Sequence, residues 1–289
     1  MKKPNSVPEE ANYDGVIVVG SSREAGDRVR AWRLAGVDAK KVTPEKMPWA
    51  ATEGVLFDIC SFSGRERLVA KVLRSGGEIF LSGALSDSYE KAEKLLQDLT
   101  AKGYAFDHMK YHPLISKARD LISDGRIGTP RILKLECLES TDSGLDNFSL
   151  FQGLLNGVSC AETLLDSSNA TKVFARLVKT GYSRFYVALL SFDTGSTCQL
   201  IAGNTSMQTK LEFSINGTKG MIAFNESKTL ELPRNLDYSN AMRSTTDVEV
   251  LTRIFSDFLK GSRNGLAKIS TYKLARAIQE SSKSKRVSS

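Results

Sequence analysis

Cysteine and long apolar runs are scarce in this 289-residue chain. Its four cysteines, Cys60, Cys137, Cys160 and Cys198, lie far apart and never form a C-x-x-C pair. We therefore expect neither a zinc site nor a disulfide framework. No run approaches the roughly 18 apolar residues that a membrane span requires, and no apolar signal segment follows the initial "MKKPNSVPEE". These absences predict no metal, no membrane partner and a cytoplasmic protein with reduced thiols.

The charge balance is basic, with a formal net charge of +7. Part of the excess lies near the two ends of the chain, where we expect residues 1–14 to form a flexible N-terminus. A basic surface suits anionic ligands such as phosphates, although an ordinary solvated surface explains the charge equally well. No nucleic-acid-binding motif accompanies it, so we expect no nucleic-acid partner.

The first part of the chain alternates buried-type strands with helical periods. "GVIVVG" (15–20), "GVLFDICSF" (54–62) and "EIFLSG" (78–83) are continuous apolar runs of the kind found in parallel strands. Helical stripes follow each of them, and strand–helix alternation indicates a parallel sheet with helices on both faces. We therefore predict a shortened Rossmann-like dinucleotide-binding domain over residues 15–113.

From about Ile132 the pattern changes to strands of period two, which predicts a C-terminal α/β domain over residues 114–289. Its sheet is expected to be mostly antiparallel and open, with helices on one face. The run "RFYVALLSFD" (184–193) is apolar on both sides. Helices would cover one side and a second subunit the other, with Leu190 in the contact. We therefore expect a homodimer or homotetramer formed through this sheet.

The segment "YHPLISKARDLISDGRIGTPRILKLECLES" (111–140) resembles the domain junction of the Gfo/Idh/MocA oxidoreductases. There an extended segment ending in Pro precedes a helix, a G-x-I-G-x-P turn and the first strand of the second domain. "INGTKGMIAFNES" and the last two helical segments are similar to other parts of that family. The resemblance implies a nicotinamide cofactor at the edge of the first sheet, a substrate beside it, and subunit association through the second sheet.

The turn after the first strand would hold the cofactor phosphates. A dinucleotide fingerprint requires G-x-G-x-x-G, whereas this chain has Gly20, Ser21, Ser22 and Arg23, with Ser22 at the second glycine position. A plain turn with Ser22 capping the helix is the alternative. The ends of the next strands would complete the cofactor site with Ser61, Phe62, Ser82 and Gly83. Lys40 and Lys41 would suit a 2′-phosphate and so favour NADP slightly over NAD, although solvated surface lysines explain them equally well and a module without a dinucleotide is the alternative.

The catalytic motifs implied by the resemblance are incomplete. The lysine of an E-K-P turn is absent near Gly83, and a D-x-x-x-H pair is replaced by Asn156 and Cys160. Lys110 and His112, before Pro113, are the remaining candidates for a cation and a proton donor. We expect them at the end of a strand, where alternation points both side chains to the same side. A hydrogen-bonded residue of the junction is the alternative for His112.

These observations leave two functional hypotheses. The first is an NAD(P)-dependent oxidoreductase with altered catalytic residues, acting on a small polar, sugar-like hydroxyl or carbonyl compound. The alternative is a pseudoenzyme that keeps the fold as a binding or assembly module.

Overall fold

In a computed structural model of the protein, the structure describes residues 15–21, 23–47, 55–60, 64–86, 88–99, 103–140, 146–167, 169–207, 209–225, 228–231, 247–262 and 265–284. The helices are α1 (Arg23–Leu34), α2 (Arg65–Arg74), α3 (Tyr89–Asp98), α4 (Pro113–Ser123), α5 (Asn147–Leu165), α6 (Asp247–Leu259) and α7 (Ile269–Lys283). The strands are β1 (Val16–Val19), β2 (Ala39–Val42), β3 (Leu56–Ile59), β4 (Glu78–Ser82), β5 (Gly103–Phe106), β6 (Pro130–Ser140), β7 (Ala170–Lys179), β8 (Ser183–Phe192), β9 (Thr197–Thr205), β10 (Lys210–Gly217), β11 (Met221–Asn225) and β12 (Lys228–Glu231).

The chain forms two compact units, and the second begins at His112. The first unit contains Met1–Tyr111 and a later segment, Ser244–Ala267; the second contains His112–Arg243 and Lys268–Ser289. Residues 1–14, for which we expected flexibility, lie outside the described residues. We expected the later segment in the C-terminal domain, but it belongs to the first unit, and among the described residues it contains helix α6.

The first unit is built on a parallel sheet of five strands in the order β2-β1-β3-β4-β5. Every residue of β1 and β3 is buried, because helices on both faces exclude water. This confirms the predicted Rossmann-like sheet. The chain leaves β1 toward β2 on one side and returns to β3 on the other, so the crevice expected for ligands lies at the carboxyl ends of β1 and β3.

Helix α6 joins the first unit because its aromatic residues complete that unit's core. Phe255 stacks on Trp32 of α1 with ring centroids 3.9 Å apart, and Phe258 meets Phe80 of β4 edge to face at 5.2 Å. Phe255 is fully buried and Phe258 nearly so. The free energy gained by burying such rings exceeds the entropic cost of closing the long stretch of chain that brings α6 back to the first unit.

The second unit contains a seven-stranded sheet in the order β12-β11-β10-β6-β9-β8-β7. Only β6 and β9 pair in parallel, so the predicted, mostly antiparallel sheet is confirmed. Helices α5 and α7 pack on one face, against side chains such as Leu133, Leu200 and Ala188. The other face carries exposed apolar residues, among them Val187 and Leu189 at 42% and 48% exposure.

The side chains of β8 alternate between the two faces of the sheet, as predicted. The expectation that Leu190 contacts a second subunit was wrong. Leu190 is fully buried on the helix-covered face. Val187 and Leu189 lie on the opposite face, which helices leave open. The reason is that periodicity separates the faces of a strand without saying which face the helices take.

None of the helices that the structure describes is long and apolar enough to cross a membrane. Within the same part of the chain, no group of three His, Cys, Asp or Glu side chains is arranged to hold a metal ion.

Candidate functional site

Gly20 directly follows β1, at the point where the strand order of the first sheet changes direction. Its amide donates to Val42 O at 3.0 Å, and the amide of Cys60, at the end of β3, donates to Val19 O at 3.0 Å. A Cβ on Gly20 would lie 2.9 Å from Cys60 Sγ. The absence of a side chain at Gly20 therefore lets β1 and β3 end side by side, whatever the turn binds.

Two cations lie at the turn that follows Gly20. Arg23 opens helix α1 with its side chain 96% exposed, and Lys41 Nζ donates to Ser21 O at 3.2 Å. The first-turn amides of a helix attract anions. Together these groups fit a phosphate, although the carboxylate of Glu24 in the same helical turn opposes one. Ser22, which stands at the second glycine position of the fingerprint, lies outside the described residues.

Glu24 is held by a buried network that the sequence analysis did not anticipate. Arg28 Nη1 donates to Glu24 Oε1 at 3.3 Å and to Ser82 Oγ at 2.7 Å, and Arg28 Nε donates to Asp58 Oδ1 at 3.0 Å. Trp32 Nε1 donates to Asp58 Oδ2 at 2.7 Å. Burial lowers the pKa of Arg28, but the surrounding acidic groups, led by Asp58, raise it by more. The guanidinium therefore remains charged.

The end of β4, predicted as part of the cofactor site, is organised by Arg65 of α2. This fully buried guanidinium donates to the backbone carbonyls of Ser82 at 3.0 Å and Gly83 at 3.4 Å, and also to those of Ile59, Ala84 and Leu85. Ser82 Oγ and Ser82 O are thus both engaged by arginines. Ser61 and Phe62, the other predicted contacts, lie outside the described residues.

Lys110 and His112 do not share a strand. His108–Tyr111 form a 3₁₀ turn, and His112 is the N-cap residue of α4. The strand alternation from which we expected both side chains to point the same way is therefore wrong, because a turn of this kind has no period of two. Lys110 Nζ donates to Leu266 O at 2.8 Å and lies 3.9 Å from Asp107 Oδ2. His112 begins the second unit and is half-buried.

In the second unit, α5 carries Asn156 and Cys160, the residues predicted to replace an acid and an imidazole. Cys160 is fully buried. Asn156 Nδ2 donates to Glu139 Oε1 of β6 at 2.7 Å, and Asn156 Oδ1 accepts from Gln152 Nε2 at 3.0 Å. A carboxylate thus lies beside the position where the sequence lacks one.

Solved structures with a similar fold extend over almost the whole chain. An oxidoreductase domain protein from Kribbella flavida matches with a TM-score of 0.72 at 16% identity, covering 95% of this chain and 98% of that one. A scyllo-inositol dehydrogenase from Lactobacillus casei, solved with NAD(H) and scyllo-inositol, matches with a TM-score of 0.69 at 16% identity, over 93% and 97%. A levoglucosan dehydrogenase in complex with NADH and levoglucosan matches with a TM-score of 0.71 at 14% identity, over 94% and 97%.

This chain has their fold. The predicted resemblance to the Gfo/Idh/MocA oxidoreductases is confirmed at that level. No protein-family model matches the sequence, and no curated protein matches it.

Four charged residues of these sites were missed by the sequence analysis, and three of them left a signal. Asp58 is a lone acid within an apolar strand, and Arg28 lies on the apolar stripe of α1. Glu139 follows Leu133, Leu135 and Cys137 at period two, which places it on the helix-covered face. Arg65 left no signal, because its carbonyl partners are set by the path of the chain after β4.

Proposed function

We propose that this protein is an NAD(P)-dependent oxidoreductase that acts on a hydroxyl or carbonyl group of a small polar, sugar-like compound. The observation that carries the proposal is the parallel sheet whose strand order changes direction at Gly20, with Arg23 and Lys41 at the following turn. The fold supports it, since its solved examples include dehydrogenases that hold NADH together with an inositol or levoglucosan.

The residues at this edge fit a dinucleotide at its phosphate end. The amides of the first turn of α1, with Arg23 and Lys41, would hold the pyrophosphate. When bound, the nicotinamide accepts or donates the hydride of the reaction. Ser82 and Gly83 would line the site through their backbone and Cα atoms, because Arg28 and Arg65 already engage the polar atoms of Ser82.

The preference between the two cofactors rests on lysine. Lys41 lies on β2, the strand expected to approach the adenosine ribose, and its ammonium reaches the turn itself. Its neighbour Lys40 points to the opposite face of the strand. A 2′-phosphate would gain from the Lys41 ammonium, whereas a 2′-hydroxyl would gain little. We therefore favour NADP.

We also propose that two copies of the chain associate through the open face of the second sheet. That face contains a concavity of about 970 Å³. Its exposed apolar residues include Phe174, Val187 and Leu189. Charges of both signs accompany them, Lys134 and Arg176 with Glu136 and Glu212. A face with both signs of charge can complement a rotated copy of itself, and an apolar patch of this kind favours such cover.

Titration of the purified protein with NADH and with NADPH tests the proposed function. The intrinsic fluorescence of Trp32 and Trp49 and the melting temperature would both respond to binding. A shift with either nucleotide, followed by turnover of an inositol or an anhydrosugar, is the expected result. No response to either nucleotide up to millimolar concentration would favour the alternative of a binding or assembly module without catalysis.

A further inference from the structure

The polar network at the carboxyl edge of the first sheet contains one carboxylate that reaches solvent. Arg28, Asp58 and Ser82 are all buried. Glu24 also accepts a hydrogen bond from Arg28, but its side chain is 37% exposed. All four residues belong to the first unit. Glu24 is therefore the member of this group that a ligand lying along the edge can meet.

Arg28 fixes the direction in which the Glu24 carboxylate points. The two residues lie four positions apart on one face of α1. Arg28 Nη1 donates to Glu24 Oε1 at 3.3 Å and to Ser82 Oγ at 2.7 Å, so a single nitrogen joins both side chains. The carboxylate is thus turned toward the end of β4, and leaving that position would cost a buried charged donor one of its partners.

The charge of Glu24 also acts at the end of β3, where Cys60 lies. Burial raises the pKa of the Cys60 thiol, the Arg28 guanidinium lowers it, and the Glu24 carboxylate raises it again. The negative charge is therefore felt at the ends of both β3 and β4, on the side of Gly20 away from β2.

Two carboxylates and two guanidinium groups are joined through Ser82. Arg28 donates to its hydroxyl and Arg65 to its carbonyl, while Asp58 and Glu24 both accept from Arg28. The four charges balance. Without the charge of Glu24, one positive charge would be in excess at this edge, and it would disfavour a cationic group of a ligand.

The part of a dinucleotide expected on this side is the nicotinamide half. In a sheet of this kind the adenosine ribose lies at the end of the second strand and the pyrophosphate at the first turn of the helix. The other half then crosses the crevice toward β3 and β4. The oxidised nicotinamide ring carries a positive charge, which is lost when the ring accepts a hydride.

We propose that Glu24 is a specificity-determining residue that favours the oxidised over the reduced nicotinamide, through the attraction between its carboxylate and the ring cation. This inference rests on the proposed function. Both redox forms carry the same phosphates, so repulsion between Glu24 and the phosphates weakens their binding equally. That repulsion cancels in the ratio of the two dissociation constants, which isolates the effect of the ring charge.

Glu24→Gln tests the assignment, because the amide oxygen can still accept from Arg28 while the charge is removed. Calorimetric titration gives Kd for NAD⁺, NADH, NADP⁺ and NADPH. The ratio of the oxidised to the reduced Kd should rise about fivefold, as for unit charges about 4 Å apart in water. Asp38→Asn is the matched control and should leave the ratio unchanged. It makes the same change in net charge at an 86% exposed side chain that precedes β2, at the opposite edge of the sheet.

Salt separates an effect of charge from an effect of structure. The Debye length falls from about 10 Å at 0.1 M to about 3 Å at 1 M ionic strength, so the change in the ratio should shrink over that range. Structural damage at the turn would instead weaken both redox forms alike and lower the melting temperature. A ratio that Glu24→Gln leaves unmoved, or a change that is equally large at both salt concentrations, would overturn the proposal.

The same titrations keep this outcome distinct from that of the proposed function. If the wild type binds none of the four nucleotides, the proposed function and the role of Glu24 are both rejected. If the wild type binds them and Glu24→Gln has the wild-type ratio, the cofactor assignment stands and only the role of Glu24 is rejected.

Discussion

Arg28 and Asp58 form an ion pair from which solvent is excluded, with side chains 1% and 0% exposed. The guanidinium also lies 6.0 Å from the ring of Phe80 and 5.8 Å from that of Phe255. A buried charge that loses its partner is poorly compensated, so the pair is far more costly to break than a surface pair. The ion pair links α1 to β3, and the hydrogen bond from Arg28 to Ser82 links both of them to the end of β4.

We expect Asp58→Asn to destabilise the protein by about 3–5 kcal/mol, because it leaves the Arg28 charge buried beside a neutral amide. Urea unfolding followed by circular dichroism measures this change. Asp38→Asn is the control, since its pair with Arg33 is 3.7 Å long and its side chain is 86% exposed. Equal unfolding midpoints for the two variants would contradict the prediction.

Gly20→Ala should be destabilising even without a nucleotide. The new Cβ would meet Cys60 Sγ at 2.9 Å and Cys60 Cβ at 3.0 Å, and overpacking of this kind typically costs about 1–3 kcal/mol. Adding Cys60→Ala should recover part of that loss, because it removes the sulfur. Additive effects of the two changes would show that the contact with Cys60 Sγ is not what makes the substitution at Gly20 costly. For this reason, loss of nucleotide affinity on substitution of Gly20 does not by itself identify a phosphate contact.

Lys41→Ala should weaken NADPH binding more than NADH binding. An exposed charge pair at about 4 Å contributes roughly 1 kcal/mol in water, which corresponds to about a fivefold change in Kd. Lys40→Ala is the matched control, because neighbouring residues of a strand point to opposite faces. Fluorescence titration of both variants with both nucleotides gives four ratios of the variant Kd to the wild-type Kd. If Kd for NADPH and NADH rises equally in Lys41→Ala, a 2′-phosphate contact is excluded.

Leu189→Asp should disrupt the association of subunits, whereas Leu190→Asp should disrupt the fold. Leu189 is 48% exposed on the open face, so a carboxylate there should leave the fold intact and dissociate the oligomer. Leu190 is fully buried under the helices, so the same change should unfold the second unit. Light scattering measures the mass and circular dichroism the fold. A wild type that is monomeric at micromolar concentration would reject the proposed association.

Lys110→Met and His112→Asn decide whether these candidates take part in catalysis. Lys110→Met should destabilise the protein by about 1.5–3 kcal/mol, because it removes a charged donor from Leu266 O. Turnover is therefore compared at a temperature where every variant is folded. A fall in kcat for each would support the predicted roles of cation and proton donor. Rates equal to wild type in both would remove the two residues from the mechanism.

The dipeptide Asn216-Gly217 is typical of tight hairpin turns, and its place in the structure shows the limit of local patterns. The hairpin of β10 and β11 is present, but Gly217 still belongs to the strand, and its amide donates to Gly220 O at 2.8 Å. A Cβ on Gly217 would lie 2.2 Å from Ile127 O. The glycine is thus required by a distant loop, which no pattern within the hairpin reveals.

The sequence by itself determined most of the elements and their order, the turn at His108–Tyr111 excepted. Runs such as Val16–Val19 and the alternation along Ser183–Phe192 are periodic signals, and burial follows directly from them. Only the tertiary structure decided which residues from distant segments meet. Asp58 lies beside Arg28, α6 returns to Trp32, and Glu139 comes under Asn156 because strand pairing and helix packing bring them together. Such contacts depend on the whole path of the chain, whereas periodicity depends only on neighbours within one turn or one strand.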